Sequence, residues 1–100
     1  MSNKKYIQLS ELCIHYRIEM TFFEQLKDYD LIEVVTIEDS SCISEEMVGD
    51  LEKMIRMHEE LDLNFEGIDA VFKLLKRIEV LEDELNHTRS RLKVYEGQID

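Results

Sequence analysis

From residue 71 onward, apolar side chains recur at alternating steps of three and four: Val71, Leu74, Ile78, Leu81, Leu85, Thr88, Leu92, Tyr95 and Ile99. That is a heptad seam over about four repeats, interrupted once by the polar Thr88. Asn64 is placed to cap the helix, which would run from Phe65 to about Glu96 and extend roughly 48 Å at 1.5 Å per residue. A chain of 100 residues cannot cover so long a helix with its own small body. The seam therefore calls for a partner helix, most simply from a second copy, with Leu74, Ile78, Leu81, Leu85 and Leu92 as the dimerisation residues. The alternative is a helix folded back along the body. Two regions follow: a body over 1–63 and a long helix over 64–100. Gly67 falls in the first turn of that helix, where it costs roughly 1 kcal/mol relative to Ala.

Ahead of the seam, the elements are short. Leu9, Leu12, Cys13 and Tyr16 stand at helical spacing, which predicts a helix over 9–16. A second covers Met20–Asp28, with Phe22, Phe23 and Leu26 turned toward the first. The link Arg17-Ile18-Glu19 is so brief that the two must cross steeply, the outline of a helix-turn-helix, although its turn has no glycine. LIEVVTI (31–37) reads as a strand, Glu38–Ser41 as a turn and Cys42-Ile43 as a short return strand, together a reduced wing. Ser44 caps a third helix, with Glu45 and Glu46 near its positive end and an apolar face of Met47, Val48, Leu51, Met54, Ile55, His58 and Leu61. Asp62-Leu63 ends it.

The charge excludes some partners. There are 23 acidic against 12 basic side chains, a formal net charge of −11. Phosphates need Lys and Arg, so nucleic acid and anionic membranes are disfavoured, and a basic protein surface is the natural complement. No apolar run reaches the roughly 20 residues of a membrane span, and Met1–Lys5 does not read as an export signal, so the expected location is the cytoplasm. Cys13 and Cys42 are then expected to be reduced.

Catalysis finds no foothold in the residue pattern. Glu45-Glu46 and Glu82-Asp83-Glu84 fall on solvated helix faces, which do not raise a carboxylate pKa for acid–base work. His15, His58 and His87 belong to three different helices. Cys13 and His15 are two residues apart and point to different sides, so they do not share a metal. Cys13 packs as a small hydrophobe. A phosphate-binding glycine loop and a nucleophile elbow are both missing from the sequence. The expectation is a non-enzymatic protein with no cofactor and no metal.

Helix-turn-helix, wing, third helix and long C-terminal helix resemble the MerR transcription regulators, so the expected fold is mainly α, a MerR-like winged helix-turn-helix with a short β wing and a long antenna helix. MerR regulators dimerise through their antennae and read DNA with the second helix and wing. Here the second helix, MTFFEQLKDYD, holds Lys27 against Glu24, Asp28 and Asp30, and the wing has no Lys or Arg. Residues 1–60 contain six basic and fourteen acidic side chains, a balance of −8. The arginine-tyrosine pair usual in the second helix of such regulators is also missing. Three segments are more specific: LSELCIHYRI (9–18), DLIEV (30–34) and RMHEELDLNFEGIDAVFKLLKRIEVLEDEL (56–85) are similar to CbpM, a bacterial chaperone-modulator family. That resemblance implies a protein that binds the J-domain of a CbpA/DnaJ-type co-chaperone and blocks its stimulation of the DnaK ATPase. The alternatives are a MerR-like DNA-binding regulator or another protein-interaction adaptor. Charge alone selects Glu24, Asp28 and Asp30, then Glu38 and Asp39 at the wing tip, as the partner-binding face, with Phe22 or Phe23 as apolar anchor if exposed. Gly67 is expected to let the helix pass close to the third helix and the wing base.

Overall fold

The computed structural model describes residues 4–97. The elements are β1 (Tyr6–Gln8), α1 (Leu9–Tyr16), α2 (Met20–Asp28), β2 (Val35–Ile37), β3 (Ser40–Ser44), a single 3₁₀ turn (Glu45–Met47), α3 (Val48–Glu59) and α4 (Phe65–Tyr95). Two compact units divide between Asp69 and Ala70, a little beyond the Asn64 boundary read from sequence.

In the first unit, α1 and α2 occupy the residues that the apolar spacing selects. What stops them is local. Arg17 ends α1 in the left-handed conformation (φ 56°), and the Ile18 N–H reaches back to the Cys13 carbonyl at 3.0 Å. Asp30 does the same after α2 (φ 58°), with Leu31 N–H donating to Leu26 O and Asp30 N–H to Lys27 O, both at 2.9 Å. Each is a Schellman-type stop with a charged residue where glycine is commonest. The missing glycine in the helix-turn-helix is thus replaced by Arg17.

The second stop corrects the strand expected over 31–37. The Leu31 N–H is already engaged by Leu26 O, and Leu31 and Ile32 are buried in the connection rather than paired in a ladder. Pairing begins only at Val35. The hairpin is also tighter than expected: Ile37 pairs with Ser40, leaving Glu38 and Asp39 as a two-residue loop with φ of 49° and 64°. Positive φ at both central positions is the type I′ geometry that suits strand twist. β3 is longer than Cys42-Ile43, because it serves two neighbours. The sheet order is β1-β3-β2, all antiparallel, with Tyr6 opposite Ser44 and Val35 opposite Cys42.

Ser44 caps the segment that follows, its Oγ accepting from the Glu46 N–H at 3.3 Å. α3 then buries Leu51, Met54, Ile55 and Met57. It stops at Glu59, so Leu61, expected on the apolar face, is exposed and Met57 is buried instead. Phe23, Leu26, Ile43, Leu51, Met54 and Ile68 are fully buried. At roughly 1.5–3 kcal/mol for each large apolar side chain removed from water, this core is what holds α2, β3, α3 and the start of α4 in place.

Asn64 caps α4 as expected: its Oδ1 accepts from the Gly67 N–H at 2.8 Å. The reason for Gly67 differs from the expectation. A Cβ there would lie 3.2 Å from Asn64 Oδ1 and 3.5 Å from the Leu63 side chain. The close approach is to the cap and its neighbour, not to α3 or the hairpin.

The second unit is α4 from Ala70 onward. Leu74, Ile78, Leu81, Leu85 and Leu92 are exposed on the single chain; Ile99 lies outside the described residues. Lys76 Nζ sits 5.3 Å from the centre of the Phe72 ring and 3.8 Å from Glu79. Among the described residues, no helix is long and apolar enough to cross a membrane.

Candidate protein-interaction surface

Glu24, Asp28, Asp30, Glu38 and Asp39 are all exposed. Glu24 and Asp28 are one turn apart, on one face of α2. Asp28 stands in the last turn, where the helix dipole disfavours an anion by about 0.3–1 kcal/mol. Helix stability does not account for a carboxylate at that position. Asp30 follows as the left-handed stop. Glu38 and Asp39 form the hairpin tip, on a separate element of the same unit.

Neither phenylalanine is an exposed anchor. Phe23 is fully buried and Phe22 is 7% exposed, because helical spacing turns both inward with Leu26. The aromatic ring that does reach solvent among the acidic residues is Tyr29, 38% exposed between Asp28 and Asp30. It stacks on Phe65 with centroids 6.2 Å apart and planes inclined by 16°. Phe65 in turn packs 5.4 Å from both Phe22 and His58, and Phe22 lies 5.1 Å from His58. Phe23 stands edge-on to Phe22 at 5.9 Å, so five rings from α2 and its C-cap, α3 and α4 meet in one cluster.

Beside the cluster is a cleft of about 300 Å³, bordered by Arg17, Glu19, Phe22, His58, Glu59 and Phe65 among others. His58 Nδ1 is 3.0 Å from the Leu63 carbonyl. A carbonyl only accepts, so Nδ1 carries the proton, and in the neutral ring Nε2 is left as an acceptor. This bond ties the end of α3 to the entry of α4. His58 is therefore a satisfied flank residue and also a wall of the cleft.

Cys13 is half-buried, and desolvation pushes its thiol pKa up, partly countered by a backbone hydrogen bond. Burial also raises the Tyr16 hydroxyl, helped by its hydrogen bond to the Glu52 carboxylate and that group's charge. Among the described residues no three His, Cys, Asp or Glu side chains gather as metal ligands.

The family model for the MerR HTH family regulatory protein matches residues 7–90, the stretch from β1 through most of α4. The chain belongs to the MerR helix-turn-helix regulatory family. No curated protein and no solved structure gives a significant match. Within this MerR chain the helix-turn-helix is α1-α2 and the wing is the β2–β3 hairpin, so Glu24, Asp28, Glu38 and Asp39 belong to the elements with which MerR regulators read DNA, and Asp30 lies just past the end of α2.

Proposed function

We propose that this MerR-family chain is a non-enzymatic chaperone modulator of the CbpM type, which binds the J-domain of a CbpA/DnaJ-type co-chaperone and inhibits its activity. The observation that carries this reading is the sign of the second helix and wing. Glu24, Asp28, Asp30, Glu38 and Asp39 stand exposed there, with Lys27 alone to oppose them. DNA would be repelled by this face, and a basic helix of a protein partner would be drawn to it, gaining encounter rate and register from charge. Tyr29 supplies the amphipathic ring around which such an interface gathers its affinity.

Two copies are joined in this reading by the exposed seam of α4, with Leu74, Ile78, Leu81, Leu85 and Leu92 buried between them. The pair presents two acidic faces.

Calorimetric titration with a CbpA-type J-domain, at low and moderate salt, tests the proposal. Micromolar or tighter binding that weakens with salt is expected. The second reading, a DNA-binding regulator, is favoured by family membership. Retention of a duplex by this chain at physiological salt, with no heat from the J-domain, would establish it in place of ours.

A further inference from the structure

The cleft bordered by α2, the end of α3 and the start of α4 has chemistry of its own. One wall is aromatic: Phe22, His58 and Phe65 lie within 5.1–5.4 Å of one another, centre to centre. Its lining also includes two acidic residues, Glu19 and Glu59, against one basic residue, Arg17. Glu19 makes no side-chain capping bond to α2, although it stands at its N-cap. At about 300 Å³ the volume suits a single long side chain rather than a peptide segment.

Aromatic faces attract cations through their quadrupoles, and flanking carboxylates add charge to that attraction. The Nδ1 proton of His58 is directed to Leu63 O, so in the neutral ring it is Nε2 that can accept from a guest. We propose that this cleft receives one arginine or lysine side chain from a basic partner protein, its cationic head against Phe22, His58 and Phe65 and within reach of Glu19 and Glu59. The inference rests on the J-domain reading above for the identity of the partner, and on the cleft alone for the chemistry of the guest. Tyr29 links the two: its ring stacks on Phe65 and is flanked in sequence by Asp28 and Asp30. A basic helix lying on the acidic face of α2 would therefore have one residue positioned to enter.

Two measurements on the full chain separate the guest from the partner. In the first, ring signals of His58 and Phe65 are followed by NMR during titration with N-acetyl-arginine methylamide, its neutral citrulline counterpart and the glutamate analogue. The arginine probe is expected to shift these rings at millimolar concentration, and the double variant Glu19→Gln/Glu59→Gln, which alters exposed groups and spares the core, is expected to lose the response. An equal response to citrulline, a stronger one to glutamate, or none to any probe overturns the proposal. In the second, the same variant is titrated with the J-domain, where affinity is expected to fall about tenfold. A J-domain that binds wild type and variant alike removes the cleft from the interface and leaves the proposed function standing. A selective arginine response with no J-domain binding to wild type does the reverse.

Discussion

Asn64 Oδ1 accepts the Gly67 N–H at 2.8 Å, and the same oxygen would lie 3.2 Å from a Cβ at Gly67. Cap and glycine are therefore one device. Asn64→Ala alone should cost about 1 kcal/mol of stability. Gly67→Ala alone should change it by less than about 1 kcal/mol, because the gain in helix propensity is offset by displacing the cap oxygen. In the Asn64→Ala background, where no cap remains to displace, the same Gly67→Ala change should stabilise by about 0.5–1 kcal/mol. Urea unfolding of the four proteins measures the coupling, and strict additivity would sink this account.

The hairpin tip gives a second prediction. Glu38 and Asp39 adopt φ of 49° and 64°, a conformation that costs an ordinary side chain of order 1 kcal/mol and suits Asn-Gly. Replacing the pair by Asn-Gly should raise stability by about 1–2 kcal/mol. The same change removes two carboxylates, so thermal stability should rise while salt-sensitive binding to the J-domain weakens. A higher melting temperature with unchanged binding would take the hairpin tip out of the partner-binding face.

The seam of α4 provides a third. A charge at Leu81, in the middle of the exposed apolar row, is incompatible with burial between helices. Leu81→Glu should convert a dimer to a monomer in sedimentation equilibrium, and Thr88→Leu should tighten the dimer. A wild-type chain that sediments as a monomer at tens of micromolar would end the dimer proposal.

Alkaline pH gives a fourth. Cys13 and Tyr16 both have raised pKa values in the folded chain, chiefly from burial. The folded state holds these protons more tightly than the unfolded one. The associated stability is present below the unfolded values, near 8.5 and 10, and is lost as pH climbs through the higher folded ones. Melting temperature should decline on that side, Tyr16→Phe should flatten the upper part of the decline, and alkylation of Cys13 should lag behind that of a free cysteine at pH 8.5. A Tyr16→Phe variant with the wild-type decline would assign it to another group.

The parts of the fold legible in the sequence are those encoded by neighbours. Leu9, Leu12, Phe22, Phe23 and Leu26 set α1 and α2 through a period the residues themselves display, and Ser44 and Asn64 announce the starts of the segments they cap. β1 was not legible, because three residues carry too little alternation and its partner Ser44 lies far along the chain from Tyr6. Leu31 and Ile32 look like strand by composition, yet the stop after α2 takes the N–H that a ladder would need. The acidic residues of the candidate surface could be read directly, since charge is visible in any sequence. The ring cluster could not: Tyr29, His58 and Phe65 belong to three elements and meet only in the folded chain. Phe22 and Phe23 were candidates by type, and burial, set by the helix phase, removed Phe23 and left Phe22 as a wall of the cleft.

The three-stranded sheet has a consequence for how anything can dock. β3, the longest strand, is flanked on both sides, and the open edges belong to β1 and β2, three residues each. An incoming strand would find one or two main-chain hydrogen bonds there, too few to hold it. Among the described residues the sheet therefore offers little edge for recognition by an added strand. A partner that docks on this unit then meets mainly side chains, and specificity resides in residues that single substitutions can rewrite.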